Sequence, residues 1–187
     1  MAKAAPPRVR ITAGARAREH GDRCGGYSSP QTSSEFDVAQ SAKLKLVNEK
    51  PCYITLVSSS TVTGVLKSGT WGGNAKGRLV SVTPGAIAAL YVTGVHAFAG
   101  IVEVTSGYYY HVAPIWSDAT YPHRVSVSTI VASSDPTCWV DVRPLIPELS
   151  FIKKPEHYGA YFRSSWFQIS ESDLACIEQA LRDRIRS

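Results

Sequence analysis

Long apolar runs are missing from this chain. No stretch approaches the roughly 18 apolar residues that a membrane-spanning helix needs, so an integral membrane protein is not expected. Cysteine is sparse too. Cys24, Cys52, Cys138 and Cys176 are scattered, with no CxxC and no Cys/His pair at ligand spacing, which argues against a zinc site and against a disulfide framework. A reducing, cytoplasmic setting is the expectation. Acids are the scarcer charge: 15 Asp and Glu stand against 20 Lys and Arg, leaving a net charge of +5 and a pI near 9.1. That balance suits nucleic acid, although charge alone suits equally a small basic protein with no anionic partner.

Catalytic signatures are also lacking. There is no GxSxG, no Walker loop, no HExxH and no GxGxxG. Glu103, Asp118, Asp135, Asp141, Glu148 and Glu156 stand isolated at strand or loop positions, where a solvated carboxylate is the default. His96, His111, His123 and His157 are each alone in sequence, and a lone histidine in a strand or turn is ordinarily a surface or hydrogen-bonded residue. No catalytic residue, cofactor or metal is expected.

What the 187 residues do hold is room for one ordinary domain with an appendage. Residues 1–48 are rich in Ala, Arg, Ser and Gly without an apolar period, which predicts a flexible basic tail. Arg8, Arg10, Arg16 and Arg18 occur there before any acid. A transit peptide, a phosphate-binding arm and an over-extended start all fit that pattern.

The character changes in the domain over residues 49–187. CYITLV (Cys52 to Val57) predicts a buried strand, stopped by Ser58-Ser59-Ser60, where a helix would be capped. Val62, Val65 and Leu66 fall on one face of that helix, and Gly69 supplies its left-handed end. A turn at Pro84-Gly85 precedes a strand over Ile87 to Val92. Further strands are predicted around Phe98 to Val104, over His123 to Ala132 and over Trp139 to Val142. Ser170 with Asp173 forms an acidic capping box for a last helix, whose Leu174, Ile177, Leu181 and Ile185 repeat at helical spacing. Five or six short strands with two helices make an α+β domain whose strands curl into a barrel.

Trp71, Trp116 and Tyr121 are large rings set beside Gly, Ser, Asn and Asp in segments read as loops. Flat rings among small polar groups suit a planar base, whose stacking contributes about 1–3 kcal/mol. The same spacing suits two rings that plug the two ends of a barrel.

The order of these pieces carries a resemblance: SSS before a short helix, TWGG (Thr70 to Gly73), VTPG (Val82 to Gly85), FAGIVEVTS (Phe98 to Ser106) and PIWSDATYPHRV (Pro114 to Val125). LSFIKK (Leu149 to Lys154) and the closing helix extend it. The chain resembles the EVE domain, a member of the PUA-like superfamily related to YTH domains. The resemblance implies a small curved β-barrel flanked by helices, with an aromatic pocket for a modified base extruded from DNA or RNA. EVE-like domains are associated with modified cytosines and YTH domains with N6-methyladenine, and both are readers, not base-modifying enzymes.

Carried over to this sequence, Trp71 and Trp116 are the two cage walls and Tyr121 the third aromatic. Ser58, Ser59, Gly72 and Asn74 border the base, and Phe98 lies in the strand beside it. Ser58 to Ser60 serve equally as helix caps, and Phe98 equally as core. Lys76, Arg78, Lys153, Lys154 and Arg163 are the candidate phosphate contacts, because each cation can neutralise one backbone charge. Arg124, after the Tyr-Pro turn, suits a phosphate contact and equally the orienting of its loop by pairing with Asp118. The chain departs from the family pattern at Ala86 and Gly72, and modified cytosine is the favoured base. Two other classes stay open: a PUA-like RNA-processing enzyme, whose Lys, Glu and Arg grouping is not found, and a module for a small metabolite or a partner side chain.

Overall fold

The β-branched run CYITLV pairs as expected, and it organises everything around it. The computed structural model describes residues 50–117 and 119–187. The tail expected over residues 1–48 and the carboxylate of Asp118 therefore lie outside the described residues.

Strand β1 (Cys52–Val57) leads into helix α1 (Ser59–Ser68), which Gly69 ends with a φ of 61°, in the left-handed region that glycine adopts without strain. At the helix start the backbone N–H of Ser58 donates to the Thr61 hydroxyl at 3.0 Å. Strand β2 (Thr70–Gly73) follows at once. Trp71 was expected in a loop; it stands in a strand because Thr70 to Gly73 pair with Ser126 to His123 across an antiparallel ladder.

Beyond a 3-10 turn at Gly77–Ser81 come β3 (Ile87–Val92), β4 (Ala97–Val104), the short β5 (Tyr109–Tyr110) and the long β6 (His123–Ala132). β7 (Val140–Asp141), β8 (Phe167–Ile169) and α2 (Glu171–Arg186) complete the domain. The described strands number eight, not five or six. β5, β7 and β8 are two or three residues long, too short to show a period in sequence.

The sheet order is β2-β6-β4-β3-β1-β8, with β5 beside β6 and β7 beside β4. Only β1 and β3 run parallel, and α1 with β2 lies in the crossover between them. Register shifts at Leu90/Tyr91 and at Ile101/Val102 bend the sheet, and bulges of this kind increase local twist. A Cβ on Gly100 would stand 2.1 Å from the Cβ of Ala132, so glycine is required where β4 and β6 close on each other. The product is an α+β half-barrel flanked by helices.

Because successive side chains point to opposite faces of a strand, the sheet carries two cores. Val62, Val65, Leu90 and Val125 belong to one, with Trp71 and Trp116 packed on it from opposite faces of β2. Ile54, Phe98, Ile101, Leu174, Ile177 and Leu181 belong to the other, under α2. Ile185, expected on the buried face of α2, is 38% exposed, since the helix end runs past the sheet. The capping box holds: Ser170 Oγ accepts from the backbone N–H of Asp173, whose carboxylate accepts from the Ser150 hydroxyl at 2.9 Å.

Among the described residues no helix is long and apolar enough to cross a membrane, and no group of three or more His, Cys, Asp or Glu could hold a metal.

Candidate nucleic-acid interface

The site begins with a buried cation. Arg124, on β6, is 1% exposed and donates from Nε to the carbonyl of Tyr121 at 2.9 Å. One terminal nitrogen donates to the carbonyls of Thr120, at 2.8 Å, and Ala113. The other lies 3.3 Å from His111 Nδ1, which also accepts from the Ala113 backbone N–H. A guanidinium presents five donors in a rigid fork, so a single side chain gathers both limbs of the 111–121 loop. Arg124 thus orients its loop through carbonyls of that loop.

Two results follow for the rings that the loop carries. The guanidinium sits 5.3 Å from the Trp116 ring centroid, a cation–π geometry in a desolvated place. Tyr121 takes a φ of 42°, uncommon for a bulky residue, and meets Trp116 edge to face with centroids 5.3 Å apart.

Trp116 reaches from α1 to β2. Its pyrrole edge lies where a Cβ on Gly64 would stand 2.5 Å away, and its benzene edge where a Cβ on Gly72 would stand 2.5 Å away. Either side chain would displace the ring, so two glycines define its slot. Beside it opens a pocket of about 230 Å³. Trp116, Tyr121 and Gly72 form its aromatic side, and Ser58, Thr61 and Thr93 supply hydroxyls along the β1 end. Among the described residues, the Tyr121 phenol is the one ionisable group that lines this space. Such a pocket can sandwich a flat, uncharged group and read its edge with hydroxyls.

The expected cage differs in one wall. Trp71 does not line this pocket. Gly72 turns toward Trp116 while Trp71 and Gly73 turn the other way, as neighbours on a strand must, which places the two tryptophans on opposite faces of β2. Trp71 is 5% exposed and meets Trp166 edge to face at 5.1 Å. Trp166 was not singled out in sequence, since its partner lies far along the chain and no local spacing joins them.

Phe98 lies away from this pocket. It is fully buried in the core under α2, in edge contact with Tyr91 and Phe162, because its position on β4 faces away from the Trp116 side. Ser59 and Asn74 are exposed and line no pocket described here, whereas Ser58 borders the site. The cations divide. Lys76 and Arg78 line a separate pocket with Trp71. Arg163 borders a surface with His96 and His157, and Lys153 and Lys154 offer their backbone N–H groups to the Tyr161 hydroxyl.

Several solved structures share this architecture. The YTH domain of Zygosaccharomyces rouxii MRB1 protein, in complex with N6-methyladenosine RNA, is similar over 72% of this chain and 88% of its own, with a TM-score of 0.56 and 20% identity. The YTH domain of Pho92, in complex with m6A, covers 71% of this chain and 86% of its own at a TM-score of 0.54 and 18% identity. An Mmi1 YTH domain complexed with RNA gives 74%, 81%, 0.53 and 11% for the same measures. The fold is YTH-like. No family model and no curated protein matches the chain, so the YTH-like likeness is one of backbone architecture.

Proposed function

We propose that this domain is a non-catalytic reader that binds RNA or DNA through one modified base taken into the Trp116 pocket. The observation that carries the reading is the pocket itself: two rings, a glycine floor and three hydroxyl-bearing residues, with neither carboxylate nor amine among the described residues that line it. An uncharged planar ligand loses little on entering such a space, whereas a charged one would leave its hydration unmatched. The solved YTH-like structures that hold methylated RNA support the same class.

Trp116 and Tyr121 act as the walls in this reading, and Ser58 and Thr61 face the base edge. Modified cytosine is the favoured ligand, on the resemblance to EVE domains. N6-methyladenine is the second reading, favoured by the two similar structures that carry it. Extruding a base costs a few kcal/mol, about the worth of two stacking faces, so discrimination depends on the added group filling the pocket.

The test is a binding panel of short oligonucleotides, each with one modified cytosine or adenine, against its unmodified twin. One modification is expected to bind at least tenfold more tightly than its twin. Equal binding across the whole panel would overturn the reading.

A further inference from the structure

The half-barrel has a seam, and the seam holds a second pocket. β2 and β8 are the two ends of the strand order, and Trp71 on the first meets Trp166, just before the second, with centroids 5.1 Å apart. Beside these rings lies a space of about 260 Å³, lined also by Lys76, Arg78, Leu79 and Ser165. No carboxylate lines it among the described residues. Arg78 forms no ion pair among the described residues, and Lys76 lies 5.5 Å from the Tyr108 ring centroid.

Three features separate this place from ordinary core. The indole N–H groups of Trp71 and Trp166 are both buried and find no acceptor among the described residues. Each such donor costs about 1–3 kcal/mol while it lacks an acceptor. Trp166 holds a φ of 59°, a conformation that costs a bulky residue of order 1–3 kcal/mol and that tends to occur where a ligand is held. Finally, the seam pocket is tied to the Trp116 pocket. Ser165 Oγ accepts from the backbone N–H of Leu56 at 3.0 Å, and Leu56 lines the other pocket, while Trp71 and Gly72 are consecutive residues facing one pocket each.

We propose that the seam pocket takes a nucleoside monophosphate unit, the nucleotide that flanks the modified one on the same strand. Its base enters against Trp71, Leu79 and Trp166, and its phosphate lies between Lys76 and Arg78. An apolar floor with two cations and no acid at its edge matches a flat ring that carries a negative group. The proposal rests on the reader function above, but it has its own observable.

The four tryptophans give four indole N–H signals in a nitrogen-15 NMR spectrum, assignable through single Trp→Phe substitutions. Titration with unmodified adenosine, cytidine, guanosine and uridine 5′-monophosphates is expected to move the Trp71 and Trp166 signals. Titration with a modified nucleoside lacking phosphate should move Trp116. The exposed pair Lys76→Glu with Arg78→Glu should weaken the nucleotide response at least tenfold and leave the nucleoside response unchanged. In the wild type, a modified base joined to one flanking nucleotide should bind at least tenfold more tightly than the modified nucleoside, through linkage of the two sites. That gain should vanish in the double variant.

Nucleotides that leave Trp71 and Trp166 unmoved, or a response that survives both charge reversals, would overturn the seam site. A seam response without any gain from linkage would make the ligand a free nucleotide and overturn the strand assignment. A seam response with Trp116 silent to every modified nucleoside would support the seam site as a ligand site and count against the reader function instead.

Discussion

Arg124 lies under Trp116, its guanidinium 5.3 Å from the ring centroid and 1% exposed. The same group holds the carbonyls of Ala113, Thr120 and Tyr121. One buried cation therefore sets both the wall of the pocket and the path of the loop that carries it. Arg124→Lys keeps the charge but loses the fork, leaving buried carbonyls unmet, and should destabilise the domain by about 3 kcal/mol. Urea unfolding checks this through a lowered midpoint at unchanged slope. A midpoint equal to wild type would show that the loop does not depend on the clamp.

Gly64 offers a test in which two effects have opposite signs. It stands inside α1, where Gly→Ala ordinarily stabilises by about 1 kcal/mol. Here the new methyl would meet the Trp116 pyrrole at 2.5 Å. Gly64→Ala should therefore destabilise, by about 1–3 kcal/mol, and lower the melting temperature. A raised melting temperature would mean that Trp116 does not fill the slot.

Tyr121 separates stability from recognition. Its φ of 42° suits glycine, so Tyr121→Gly regains about 1 kcal/mol of backbone strain while losing the ring packed on Trp116. Stability should change by less than about 1–2 kcal/mol, since the two terms oppose. Preference for the modified base, measured by titration against its unmodified twin, should fall at least tenfold. Retained preference would remove Tyr121 from the pocket wall.

Asp173 links pH to the second core. Burial pushes its carboxyl up, but hydrogen bonds from the Ser170 and Ser150 hydroxyls outweigh this and hold it below the ordinary aspartate value. A depressed carboxyl contributes stability above its unfolded value, about 3.9, and that contribution disappears as the pH falls through the folded value. Asp173→Asn should lose about 1–2 kcal/mol at pH 7 and show a shallower decline in acid than wild type. Parallel acid-unfolding curves for the two proteins would contradict it.

How much of this was legible depends on range. The strands over Cys52–Val57, Ile87–Val92 and His123–Ala132, the Gly69 helix end and the Ser170/Asp173 cap stand where the residues place them. Each rests on contacts within a few residues. The loop path was legible only in part: loop orientation was one of two roles open to Arg124, and its partners are carbonyls, which no side-chain pattern records.

Sequence alone determined the local terms: the apolar periods, the caps, the turns, and the collection of rings in the TWGG and PIWSDATYPHRV segments. Only the tertiary structure decided which rings meet. Alternation along β2 sends Trp71 and Gly72 to opposite faces, so Trp116 packs on the glycine and Trp71 turns to Trp166. Phe98 likewise goes to the core under α2 because of the face of β4 it occupies. A strand residue has two faces and one sequence, and the face that becomes a pocket is chosen by what the rest of the chain brings against it.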